Sequence, residues 1–193
     1  AAFLLIEVDG ISAGIDEQIN LILEVCKKRN VRQVRAAKDE AERERWWANR
    51  KTGFGAMGAI SPDYLVQDGV IPRSKLPEVL SRIEEISQES GLRIANIFHA
   101  GDGNLHPLVL FDARIPGETE KAIEAGSACL QVCADAGGTI TGEHGVGIEK
   151  REEMRFVFKD EEIIAQTNIR EVFNPDNLLN AGKLFPTPGR CAE

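Results

Sequence analysis

Two rhythms of apolar residues alternate along the chain. Ile15, Ile19, Ile22, Leu23 and Cys26 recur every three or four positions, which predicts a helix over 15–29. The same spacing predicts a helix over 74–90, with Ser74 as its cap and Gly91 as its stop. A charged helix is predicted over 39–50, closing on Trp46-Trp47-Ala48-Asn49-Arg50. An alanine-rich helix is predicted over 117–136, ending at Gly137-Gly138, and a last one over 160–172. Between them lie shorter apolar runs at 3–9, 64–72, 92–98 and 106–112, which read as strands, and a more polar segment at 31–37, Val31-Arg32-Gln33-Val34-Arg35 at its start, which reads as a further short strand. Strands interleaved with helices, and one clear hairpin, predict an α+β fold: an antiparallel sheet with helices packed on one face.

Composition narrows the function. The 193 residues are 42% hydrophobic and 28% charged, enough for one cored domain with a protruding tail. The expected division is a domain over 1–173 and a tail over 174–193, whose Phe185-Pro186-Thr187-Pro188 looks like chain leaving the domain. A net charge of −8 argues against nucleic acid, which calls for clustered Lys and Arg. An anionic substrate must then meet a local Arg or a metal rather than the global field.

No apolar run approaches the about 20 residues of a membrane span. Cys26, Cys129, Cys133 and Cys191 have no zinc-site spacing, and Cys129 and Cys133 read as small buried residues one helical turn apart. Few cysteines and no signal peptide point to a reducing, cytoplasmic setting, peripheral membrane association included. The chain starts without Met inside an apolar run, as expected of a piece of a longer protein.

All three histidines fall in two glycine-rich motifs. The first is His99-Ala100-Gly101-Asp102-Gly103-Asn104-Leu105-His106. Asp102-Gly103 between apolar runs predicts a two-residue type I′ hairpin. Counting outward pairs His99 with His106 directly, with Cβ atoms about 4.5–5.5 Å apart on one face, so that both imidazoles reach one metal ion.

The second motif is Gly138-Thr139-Ile140-Thr141-Gly142-Glu143-His144-Gly145-Val146-Gly147. Glycines there let a loop depart from regular backbone, so that Glu143 and His144 can border one cavity. Glu143 is the candidate third metal ligand, and His144, free of the metal, the candidate base. Such a set suits a 2-hydroxy acid, which chelates a metal through its carboxylate and hydroxyl. The hydride leaving its carbon needs an acceptor, and none is visible in these residues.

These motifs, with Asn174-Pro175-Asp176-Asn177-Leu178-Leu179-Asn180-Ala181-Gly182-Lys183, resemble the C-terminal, ferredoxin-like cap domain of FAD-linked oxidases of the vanillyl-alcohol-oxidase superfamily, in particular glycolate oxidase and D-lactate dehydrogenase flavin subunits. The resemblance spans essentially the whole chain. It implies zinc or manganese on His99, His106 and Glu143, and His144 as the base that deprotonates the substrate hydroxyl. It implies that hydride passes to the flavin, with Asn180 as a flavin contact. It implies an FAD-binding domain upstream, to which the tail returns, and further oxidase subunits as partners. Trp46-Trp47-Ala48-Asn49-Arg50-Lys51 is similar to the family's Trp-x-x-Arg stretch, which implies that Arg50 binds the substrate carboxylate. Ala181 stands where the family commonly has Pro. Val66 stands where relatives that take dicarboxylic acids carry Lys, which favours a short monocarboxylate.

Two other readings share the same ligands. A metal-dependent hydrolase would use the His, His, Glu set without a flavin. A non-catalytic metal-binding or interaction domain would use it for structure alone.

Overall fold

The structure, a computed structural model, describes residues 2–186; Thr187, Pro188 and Cys191 lie outside the described residues. The chain divides after Gly53 into two compact units.

The first unit carries helices α1 (Ser12–Lys28) and α2 (Glu40–Lys51). Asp39 caps α2 by accepting the Glu42 N–H at 2.8 Å. Buried Glu42 then accepts from Arg35 at 2.9 Å and from the Lys38 N–H at 2.8 Å. The strands expected over 3–9 and 31–37 do not form. Phe3, Leu4, Ile6, Val31 and Val34 are exposed, and the described residues of this unit supply no strand for a ladder. A lone apolar run cannot satisfy its backbone by strand pairing.

A short helix, α3 (Gly53–Met57), begins at the last residue of the first unit and runs into the second, which then alternates strands and helices. Strand β1 (Asp63–Val66) leads into β2 (Gly69–Val70), helix α4 (Leu76–Ser90), strands β3 (Ile94–Asn96), β4 (Asn104–Leu105) and β5 (Pro107–Phe111), and helices α5 (Glu118–Asp135) and α6 (Asp160–Phe173). One antiparallel sheet has the order β1-β5-β3 and a second pairs β2 with β4.

Val79, Ile83 and Ile86 of α4 pack with Ala122, Ala125, Cys129 and Cys133 of α5, over Ile94, Leu105 and Val109 of the strands. Each large aliphatic side chain buried there contributes about 1.5–3 kcal/mol. Central β5 is buried on both faces, with Leu108 and Val109 fully enclosed. A second cluster joins Leu130, Ile140, Met154 and Ile163, with Phe185 of the tail packed against it. The α+β class expected from the sequence is therefore the observed one. Ser74 is not the cap of α4: it sits in a 3-10 turn, Arg73–Lys75, and the helix starts instead with Pro77 in its first turn, where a missing N–H costs nothing. Among the described residues no helix is long and apolar enough to cross a membrane.

Candidate active site

The hairpin forms, but in another register. His99 pairs with Asn104, donating its N–H to the Asn104 carbonyl at 2.9 Å, and Ile97 faces His106. Asp102 keeps a negative φ and only Gly103, at +74°, turns left-handed. A type I′ turn needs both in that region, so the loop spans four residues instead of two. His99 and His106 are thus diagonal neighbours rather than opposite ones. A slip of two positions keeps every side chain on its face. The rings still meet edge to face, 5.6 Å between centroids.

The partner motif arrives from the other edge of β2. Gly69 pairs with Leu105 and Val70 with Asn104, so Asp68 stands level with His106 one step further along the ladder. On the opposite edge Val70 and Thr139 exchange backbone hydrogen bonds at 2.9 Å, and Gly142 N–H reaches the Asp68 carbonyl at 3.1 Å. Motifs separated by some forty residues are therefore brought together by one short strand between them. Gly142 suits this contact: a Cβ there would lie 2.8 Å from both Asn104 Nδ2 and Val70 Cγ2, so those side chains would have to shift.

The resulting constellation has a buried floor and an open rim. Asp68 and His106 are 0% and 2% exposed, whereas the side chains of His99, Glu143 and His144 are about half exposed. Glu143 Oε1 sits among three imidazoles: 3.1 Å from His106 Nε2, 3.9 Å from His99 Nε2 and 4.0 Å from His144 Nε2. His144 stacks on His106, and Phe54 meets the same ring at 6.0 Å. Asp68, His106, Glu143 and His144 each offer a ligand atom within 4.8 Å of one another. His99, expected as a ligand, stands at the edge of that group, beside Glu143.

The sequence reading missed Asp68, which organises the centre. Its Oδ2 accepts from Thr141 Oγ1 at 2.9 Å and from the N–H groups of Gly142, Glu143 and His144 at 2.9, 3.0 and 2.8 Å. Burial alone would raise its pKa; the N–H groups of His144, Glu143 and Gly142 and the Thr141 hydroxyl outweigh it and hold the carboxyl at about 2. Lys150, 3% exposed, brings its Nζ to 3.8 Å from the same oxygen, with burial lowering its pKa and Asp68 opposing the shift. Burial likewise keeps His106 below the ordinary histidine value, against the pull of Asp68. The available signal was an acid interrupting the apolar stretch from Tyr64 to Ile71.

Beside the constellation lies a cleft of about 350 Å³, lined by Val66, His144, Val146, Ile148, Lys150 and Lys183. Val66, the position where dicarboxylate-binding relatives are expected to carry Lys, is on its wall. The tail is tied down next to it. Arg170 donates to the carbonyls of Leu179, Asn180 and Lys183 at 2.9–3.1 Å, and Leu184 N–H reaches the Gly147 carbonyl at 2.7 Å. Asn180 is exposed at φ +50°, its Oδ1 accepting from Lys183 Nζ at 3.4 Å. Arg50 is half-buried in the last turn of α2, within the first unit.

This is an α+β domain in which imidazoles and carboxylates that could hold a metal ion converge beside a glycine-rich loop. The chain belongs to the family described as "FAD linked oxidases, C-terminal domain", whose model matches residues 1–184. Among curated proteins it is similar to the glycolate oxidase subunit GlcD of Escherichia coli (strain K12), with 50% identity over 192 residues, covering 100% of this chain and 38% of that protein. It is 34% identical to the same subunit of Bacillus subtilis (strain 168), over 98% of this chain and 40% of that one. It is 29% identical to the mitochondrial D-lactate dehydrogenase (cytochrome) of Arabidopsis thaliana, over 96% of this chain and 33% of that one. The chain thus spans about two fifths of the length of these relatives or less.

Proposed function

We propose that this domain is the substrate-binding part of an FAD-dependent 2-hydroxy acid oxidoreductase that takes a short monocarboxylate, glycolate or D-lactate. The observation that carries the reading is the position of Glu143 Oε1, 3.1–4.0 Å from three imidazole nitrogens, in a chain of this family.

The residues fit a divalent metal. His99 Nε2, His106 Nε2 and one Glu143 oxygen form a mixed imidazole–carboxylate set of the kind that holds zinc or manganese with a position left open. Behind it, His106 Nδ1 and Asp68 Oδ1 are buried without a hydrogen bond and face one another at 3.7 Å, where a carboxylate can steady the ring from behind. A metal bound there supplies Lewis acidity towards the hydroxyl and carboxylate of a 2-hydroxy acid. A flavin, held mainly by the remainder of a protein such as these relatives, supplies the hydride acceptor.

The chain's own residues do the rest. His144, on the rim and about half exposed, takes the hydroxyl proton at Nε2. Arg50 offers its fork of donors to the substrate carboxylate. Val66 stands where the resemblance expects a Lys in relatives that take dicarboxylic acids, and its apolar side chain supplies no cation for a second carboxylate. In this reading residues 1–173 form the substrate domain, and the tail from 174 carries Asn180 towards the flavin. Other oxidase subunits are the expected partners and the cytoplasm the expected setting, peripheral membrane association included.

The test uses this chain joined to its flavin-binding domain, assayed on glycolate and D-lactate with an artificial electron acceptor, before and after chelation. Turnover on one of these acids that is lost with the metal and restored by zinc or manganese is the expected result. Turnover indifferent to chelation, or activity confined to an ester panel without flavin, would overturn it.

A further inference from the structure

We propose that Asp68 is a positioning residue that sets the tautomer of His106. The ring carries its proton on Nδ1, towards Asp68, and keeps the Nε2 lone pair for the side facing Glu143. This deepens the reading above and rests on it only where metal binding is concerned.

Asp68 and His106 stand level on neighbouring strands, which sets Asp68 Oδ1 3.7 Å from His106 Nδ1. Both atoms are buried and neither makes a hydrogen bond, which leaves the carboxylate as the charged acceptor facing Nδ1, with the backbone of Gln67 a neutral second group that also favours a proton on the ring. The carboxylate cannot turn away, because its Oδ2 accepts from one hydroxyl and three backbone N–H groups of residues 141–144. Lys150 Nζ at 3.8 Å offsets the charge from the other side.

A competing acceptor exists. Glu143 Oε1 lies 3.1 Å from His106 Nε2. Glu143, however, is 55% exposed and reaches water, whereas Asp68 is fully buried and fixed. A ring with its lone pair on Nδ1 would set lone pair against lone pair in a dry interior, with no solvent to separate them. The proton therefore belongs on Nδ1. Zinc-ligating histidines are commonly held this way, the second nitrogen donating to a carboxylate that fixes ring and tautomer.

The same carboxylate holds both halves of the centre. Its Oδ1 faces the hairpin histidine, and its Oδ2 gathers the turn that presents Glu143 and His144.

The test is ¹⁵N–¹H correlation spectroscopy of the histidine rings in the ¹⁵N-labelled, metal-free protein, at a pH where His106 is neutral. The Nδ1–H form is expected. Asp68→Asn keeps an oxygen for the four donors but turns an amide N–H₂ towards Nδ1, so the ring should switch to Nε2–H. Zinc affinity, measured by titration with zinc alone, should then fall about 10–100-fold. An Nε2–H ring in the unaltered protein, or an unchanged tautomer in a folded Asp68→Asn protein, overturns the proposal. The unaltered protein decides the question even if the variant does not fold. A tautomer that switches with no loss of zinc affinity supports the role of Asp68 and overturns His106 as a ligand, so the two readings fail separately.

Discussion

His106 and His144 lie face to face, ring centroids 5.0 Å apart and planes 13° from parallel. One ring is sealed in the floor and the other stands on the rim, and the proposed roles of ligand and base rest on that contrast in exposure. Distance does not make that division for His99, since its Nε2 and that of His144 are 3.9 and 4.0 Å from the same Glu143 oxygen. The expected outcome is that His99→Ala and His106→Ala lose bound zinc or manganese, while His144→Ala keeps the metal and loses about 10²–10⁴-fold in turnover. Metal analysis of the purified proteins alongside steady-state rates checks this. Metal lost from His144→Ala but retained in His99→Ala would exchange their roles.

Acid should strip stability through Asp68. Its carboxyl titrates near 2 in the folded protein against 3.8 when unperturbed, because donors from residues 141–144 outweigh the cost of burial. A depressed folded pKa stabilises the fold above the unfolded value and loses that contribution as pH falls through the folded one. The window is therefore roughly pH 4 down to 2, and the contribution about 2 kcal/mol. Denaturant midpoints across that range should fall more steeply for the unaltered protein than for Asp68→Asn. Parallel curves would remove Asp68 from the acid response.

Cys129 and Cys133 should be inert. Burial pushes both thiols up to about 12, so almost no thiolate exists near neutral pH. Half-buried Cys26 should alkylate first among the three described cysteines, with the α5 pair reacting only on unfolding. Peptide mapping after native iodoacetamide treatment reads this directly. Rapid labelling of the pair would show that α5 opens.

The parts legible in the sequence were those in which a residue's own periodicity decides its environment. Helix α5 shows its buried face through Ala122, Ala125, Cys129 and Cys133, and α4 through Val79, Ile83 and Ile86. The hairpin was legible as a hairpin. Its register was not, because Asp102 declines the left-handed region that the expected turn required. The runs at 3–9 and 31–37 carry strand-like composition, but a strand exists only with a partner, and sequence spacing does not supply one. Of the candidate centre, the histidines and Glu143 stood out by chemistry and glycine context. Asp68 did not, since its importance lies in accepting N–H groups from residues 74 to 76 positions away. The one local mark is an acid interrupting the apolar stretch from Tyr64 to Ile71, which does not say what it accepts from, and Lys150 is likewise enclosed by chain that comes from elsewhere.

The diagonal placement of His99 and His106 has a consequence for remodelling this hairpin. Side chains on a strand alternate with a period of two, so parity governs whether the two rings share a side, and loop length does not. The turn over 100–103 can be rebuilt shorter or longer, provided the strands shift past one another by an even number of steps. An odd shift would send one imidazole through the sheet to its far side, and no choice of turn residue would bring it back.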